Sequence, residues 1–183
     1  MKGRLLNSRA VWKKNDLFRN LIGFCLMKAV IQRVLNAQVT VQERLCGSIR
    51  KGLLVYVGVA LDDAQADADW IAEKIANLRI FDDADGKMNL SLKEITCNAE
   101  NNAEEKTGVL AVSQFTLLGD ARKGRRPSWG RAAPPEKAKP MYEYFLQKVR
   151  EQGLLCECGE FQAMMQVSYT NDGPVTILLD SKE

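Results

Sequence analysis

The chain has 183 residues, 46% hydrophobic and 27% charged, which describes one globular domain with its own core; no run of 18 apolar residues is present to form a transmembrane helix. Histidine is absent, which excludes Ser-His and Cys-His nucleophile pairs, histidine-ligated zinc and a histidine general base. The net charge of +3 is uneven: residues 1–26 carry +5 and the remainder −2, so the body is not a generally basic nucleic-acid binder and any RNA contact would fall on a local patch.

Residues 1–26 are rich in Arg and Lys and poor in acids, as organelle transit peptides are, and Leu17, Phe18, Leu21, Ile22, Phe24 and Leu26 fit a short amphipathic helix. They lack the apolar core of a secretory signal. A different text begins at Met27, and the preferred reading is an upstream start taken in place of that methionine. Residues 1–26 are therefore set apart as an extension outside the fold, and 27–183 form the domain.

From Met27 the pattern is that of strands. Ala29–Val34 is short and β-branched, and Gln38–Gln42 alternates apolar and polar residues. Cys46-Gly47 reads as a turn before Ser48-Ile49. Leu53–Val59 is a nearly continuous apolar run, the mark of a strand buried on both faces. Asp62-Asp63 precede a helix over about 64–78, with Trp70, Ile71, Ile75 and Leu78 on one face and an acid expected to cap its first N–H groups. Arg79–Phe81 is extended and 82–87 is a turn; its acids lack the spacing of a calcium loop. Residues 96–107 are polar and non-periodic, a surface loop. Gly108–Leu117 reads as an apolar strand ending in polar residues. Residues 121–139 form a basic connection. A helix begins at Pro134-Pro135 with Tyr142, Phe145, Leu146 and Val149 on one face and stops at Gly153. Three strands follow, Leu154–Cys158, Ala163–Tyr169 and Val175–Leu179, with Gly173-Pro174 between the last two. The order predicts an α/β fold: a single domain of mixed, curved sheet with two main helices.

The five cysteines, Cys25, Cys46, Cys97, Cys156 and Cys158, are odd in number and contain no CxxC, which points to a reducing compartment. Cys156 and Cys158 share a face of one strand and read as buried thiols rather than a metal pair. No cofactor and no metal are expected.

Three segments place polar chemistry where a core would not. Ser113-Gln114-Phe115-Thr116 ends a buried strand, a usual place for ligands in α/β folds. Its hydroxyls, amide and backbone N–H groups suit either an oxyanion site or plain strand-end bonding. Thr116 has no visible base to activate it. Asn171–Thr176, around Gly173-Pro174, reads as a turn. Arg122, Lys123, Arg125, Arg126, Arg131, Lys137 and Lys139, with Trp129 among them, suit either phosphate contacts beside one stacking ring or a solvated loop.

Taken together, Ala29–Val34, Gly52–Val55, Leu78–Phe81, Gly86–Ser91, Ser113–Leu117, Arg126–Ser128 and Asn171–Thr176 resemble the D-aminoacyl-tRNA deacylase family, in its order and across Met27–Ser181. The resemblance implies a cytoplasmic homodimer of β/β/α layers. Its implied activity is hydrolysis of the ester joining a D-amino acid, or mischarged glycine, to tRNA, with no membrane or DNA partner. The family's Ser-Gln-Phe-Thr motif falls on Ser113, Gln114, Phe115 and Thr116, which would line the adenosine and ester pocket. Its Gly-cisPro motif falls on Gly173 and Pro174, which would reach into the partner's pocket and exclude an L side chain. Arg33 would hold that motif, and Met165 would lie in the pocket near the dimer contact. The implied chemistry uses the substrate's own 2′-hydroxyl, with backbone N–H groups at Phe115 and Thr116 on the oxyanion; Thr116 as covalent nucleophile ranks second. Gly119 and Gln162 depart from the alanine and glycine usual there. Two other functions compete: a non-catalytic tRNA or nucleic-acid binder using the basic loop, and a general esterase using Thr116.

Overall fold

The computed structural model describes residues 26–98 and 106–181. β1 (Lys28–Val41) and β2 (Arg44–Ile49) form a hairpin, and β3 (Gly52–Gly58) returns antiparallel to the first half of β1 before α1 (Gln65–Asn77). β4 (Phe81–Asp82) and β5 (Met88–Leu90) pair ahead of α2 (Leu92–Asn98). β6 (Gly108–Ser113) lies parallel to β3, a 3-10 turn spans Phe115–Leu118, and α3 (Pro135–Glu151) crosses back. β7 (Leu155–Cys158) runs parallel to β6, and β8 (Gln166–Asp180) pairs with the free edge of β1.

The main sheet therefore runs β2-β1-β3-β6-β7, with β8 on β1. It curls until β2 meets β7, where a Cβ on Gly47 would lie 2.9 Å from the Cys158 carbonyl oxygen. β3 buries both faces, as its unbroken apolar run predicts. Leu53, Val55 and Val57 point toward the helices, while Leu54 joins Val34, Val39, Leu110 and Val112 inside the curl. Ile71 and Ile75 of α1 and Tyr142, Phe145 and Val149 of α3 complete the helical layer. Each such aliphatic or Phe side chain contributes roughly 1.5–3 kcal/mol by leaving water. Gly153, at φ +81, ends α3 in the left-handed region that glycine favours. Single-domain mixed α/β architecture in layers is thus the observed fold.

Several local expectations change. Ala29–Val34 and Gln38–Val41 belong to one long strand, and the expected second strand stops one residue short of Gln42, because β8 pairs with β1 along both halves while β3 and β2 share its other edge. The turn lies at Gln42-Glu43, both at positive φ, and Cys46-Gly47 is inside β2, where the glycine permits the approach to β7. The α1 cap is not Asp62-Asp63: Asp67 accepts from the Ala64 N–H at 2.9 Å, and Asp63 accepts from the Ala60 N–H at 2.6 Å. The polar stretch from 96 opens inside α2, whose start is a Ser91–Glu94 capping box; residues 99–105 lie outside the described residues. Gly108–Leu117 is a strand only to Ser113, since the chain then tightens to bury Leu118. Of Ala163–Tyr169 only Gln166–Tyr169 is strand; with Val175–Leu179 it belongs to β8, which is continuous through Gly173-Pro174 with a bulge, while 163–165 lie outside the strand. The expectations for 1–26 and Cys25 fall outside the described residues, apart from Leu26.

Candidate functional site

β6 carries five buried residues, Gly108–Val112, into half-buried Ser113. The Gln114 N–H donates to the Val57 carbonyl at 2.7 Å, and the 3-10 turn begins one residue later. Fully buried Leu118, packed with Ala60, anchors that turn. Gly58 lets it approach: a Cβ there would lie 3.0 Å from the Gln114 carbonyl oxygen. The turn's own bonds use the N–H groups of Leu117 and Gly119 and leave those of Phe115 and Thr116 unused by it.

This strand end forms one lip of a cavity of about 680 Å³. Ser113, Gln114 and Phe115 line it on one side, Ala133, Pro135 and Ala138 at the start of α3 on another, and the segment from Phe161 to Met165 on the third. Met165 packs its sulfur against Gly159, where a Cβ would meet it at 2.4 Å. Gln162, on the cavity wall, has φ +64, a left-handed conformation that costs a non-glycine residue about 1–2 kcal/mol. The cavity is mostly apolar with a few convergent polar groups, the usual character of a small-molecule site.

Thr116 is placed differently from its three neighbours. It is exposed, it does not line the cavity, and its hydroxyl oxygen accepts a bond from the Gln114 side-chain amide. Among the described residues, the partner of its hydroxyl is an amide rather than a general base.

Arg33, Gly173 and Pro174 form a second cluster. Between the pairs Gln32–Thr176 and Val34–Asn171, residues 172–175 bulge out opposite the single residue Arg33. The Gly173-Pro174 peptide bond is cis, and both residues are exposed. Arg33 is 6% exposed and lies within the sheet. Its guanidinium donates to the Ile80 carbonyl at 2.7 Å, reaches Asp82 at 3.2 Å and pairs with Asp172 at 2.9 Å. Asn171 braces the same bulge, donating to the carbonyls of Arg33 (2.9 Å) and Val175 (3.1 Å).

One chain does not bring the two clusters together. Ser113 is in register with Val57, Val57 with Ala29, and Ala29 with Leu179. Arg33 stands four residues further along β1, about 13 Å at the usual rise per residue, and the bulge lies three strands from β6.

The surrounding charges and thiols are settled by local contacts. Arg122, bonded through its side chain and backbone N–H, holds the Asp120 carboxyl well below the usual carboxylate range. Burial pushes the Cys156 thiol up to about 12 and raises that of Cys158, so both stay protonated and unreactive near neutrality. Among the described residues, no group of three His, Cys, Asp or Glu side chains is arranged to hold a metal ion, and no helix is long and apolar enough to cross a membrane. Sequence reasoning missed Phe161, Met164, Ala133 and Ala138 as cavity residues; apolar residues that line a pocket carry no signal to separate them from core.

Fold and site together define a layered α/β domain with a mostly apolar cavity at the carboxyl ends of parallel strands. The chain belongs to the family described as D-Tyr-tRNA(Tyr) deacylase, whose sequence profile matches residues 30–180. A D-aminoacyl-tRNA deacylase of Koribacter versatilis is 56% identical over 157 residues, 86% of this chain and 99% of that protein. One of Thermotoga petrophila is 55% identical with the same coverage. A solved structure of a c-Myc DNA unwinding element binding protein superposes with a TM-score of 0.73 at 38% identity, covering 83% of this chain and 97% of the other.

Proposed function

We propose that this chain hydrolyses the ester joining a D-amino acid to the 3′-terminal adenosine of tRNA, and the same ester of mischarged glycine, as a homodimer. Similarity to D-aminoacyl-tRNA deacylases across nearly their whole length supports the activity. The observation that carries the site assignment is the polar lip Ser113–Phe115 on an apolar cavity of about 680 Å³, room for a nucleoside and a small acyl group.

The reaction adds water to the ester carbonyl and expels the ribose 3′-oxygen, giving a free amino acid and a 3′-hydroxyl. The chain has no histidine, so the proton taken from water and given to the leaving oxygen is assigned to the neighbouring 2′-hydroxyl of the substrate. The N–H groups of Phe115 and Thr116, unused by their turn, are assigned to the developing oxyanion, where fixed donors act most strongly. Thr116 is a poor covalent nucleophile, being exposed, bonded to Gln114 and without a base.

Discrimination is assigned to Gly173-Pro174 of the partner subunit, entering the cavity so that an L side chain clashes and a D side chain points away. The exposure of this bulge, its bracing by Arg33 and Asn171, and its remoteness from Ser113 within one chain all fit a motif that works across subunits. Beside the Ser113–Thr116 turn, Leu178 is 76% exposed and lines a hollow of about 260 Å³ with Val30 and Leu117. That apolar area suits the dimer contact.

The test is paired deacylation of D-Tyr-tRNA and L-Tyr-tRNA without added metal. Loss of the D ester alone is expected. Loss of both esters would remove the chiral assignment, and binding without turnover would favour the nucleic-acid binder suggested by the basic loop. Thr116→Ala is expected to keep most of the activity; complete loss would return Thr116 to the role of nucleophile.

A further inference from the structure

We propose that Trp129 is a stacking platform for the unpaired nucleotides immediately 5′ of the reacting adenosine, a positioning residue for the RNA end. The inference rests on the substrate class proposed above and concerns a part of it that the cavity does not hold. Phe115 lines the cavity, and Trp129, which does not, stands beside it, its ring centroid 5.3 Å from that of Phe115 in an edge-to-face arrangement at 72°. Both rings are open to solvent, Phe115 at 54% and Trp129 at 41%. Two neighbouring exposed aromatics need a reason, and an aromatic face beside cationic side chains is what single-stranded nucleic acid uses.

The ring is held in place. Gly119 makes room for it: a Cβ there would meet Trp129 Cζ3 at 2.5 Å. Asp120 and Ser128 exchange both backbone hydrogen bonds, at 2.8 and 2.9 Å, and close the loop just before the tryptophan. The Ala132 N–H then donates to the Trp129 carbonyl at 2.9 Å. Within the closed loop, Arg122, Lys123, Arg125 and Arg126 are exposed, and Asp120, the acid at its base, is already paired with Arg122. A fixed indole that follows a loop of exposed cations can stack a base while those cations meet its phosphates, without reading sequence.

The experiment compares two esters, D-Tyr-tRNA and D-tyrosyl-adenosine, which lacks every upstream nucleotide. Trp129→Ala is expected to raise KM for the tRNA ester about tenfold, the lower range for one base–aromatic stack. Its kcat, and both constants for the adenosine ester, should stay at the wild-type level. Trp129→Phe should restore much of the loss, and Gly119→Ala, which displaces the ring without removing it, should reproduce it in part. Equal effects of Trp129→Ala on both esters, or none on either, would overturn the proposal. If the wild-type protein cleaves neither ester, the substrate reading fails, and the platform is judged by titrating the trinucleotide CCA. Quenching of tryptophan emission that vanishes in Trp129→Phe supports it, and no quenching refutes it.

Discussion

Arg33 offers the most direct test of how the Gly173-Pro174 bulge is held. Arg33→Met keeps the apolar stem and removes the guanidinium. The buried bond to the Ile80 carbonyl, at 2.7 Å, is the main loss, about 2 kcal/mol for a charged donor. The ion pairs add less, since the side chains of Asp82 and Asp172 are 49% and 31% exposed; together they amount to about 1 kcal/mol after screening. Relief from keeping a cation almost out of water offsets part of that sum. A net loss near 2 kcal/mol lowers Tm by about 4–8 °C in a domain of this size. Calorimetry reads the stability, and the ratio of D- to L-ester turnover reads the bulge. Both should fall, because Asp172 adjoins Gly173 and loses its anchor. A Tm within about 1 °C of wild type together with an unchanged ratio would refute the argument that Arg33 fixes this segment.

Pro174→Ala should raise L-ester turnover at least about tenfold while D-ester turnover changes little, since about 1.4 kcal/mol of lost exclusion suffices for that factor; unchanged discrimination would place the chiral filter elsewhere. Gln162→Gly removes the left-handed strain at φ +64, and after the entropy cost of glycine it should stabilise the fold by about 0.5–1 kcal/mol, seen as a higher melting temperature; a lower one would show that the Gln162 side chain holds the cavity wall. Stability should also decline at high pH. Cys156 is raised from about 9 to about 12 and Tyr56 from about 10 to about 12, both chiefly by burial, so the folded state holds protons that the unfolded state has released. Their contribution is complete below pH 9 and is lost as pH rises from there to about 12. Denaturant melts of Tyr56→Phe and Cys156→Ala across that range should show shallower slopes, and slopes equal to wild type would contradict the sign.

How much could be read beforehand depended on whether the deciding force was local. β3, α1 and α3 were legible because burial writes a period into the sequence: Leu53–Val57 is apolar on both faces, and Tyr142, Phe145, Leu146 and Val149 recur on one. α2 was missed although Ser91 and Glu94 stand at capping-box spacing, because its short polar body shows no periodicity. The hairpin was misplaced because Gln42 and Glu43, not Cys46-Gly47, take up positive φ. That glycine answers a contact with β7, more than a hundred residues away.

The candidate site was legible only through motifs, and the reason lies in its construction. Ser113–Phe115 are ordinary strand-end residues until Gly58 and Leu118 draw the turn over the cavity. Gly173-Pro174 reads as a plain turn, yet it is a four-residue bulge set against one buried arginine. On the proposed reading, neither segment carries a catalytic side chain in the ordinary sense. Each presents backbone in a fixed place, and the placing is done by residues far away in sequence. Chemistry of that kind needs no histidine and leaves no cluster of titratable groups to find. It predicts a site unusually tolerant of conservative side-chain change at Ser113–Thr116 and intolerant of movement at Gly58, Arg33 and Asn171. Activity should therefore follow the rigidity of the backbone more closely than the identity of the side chains at the lip.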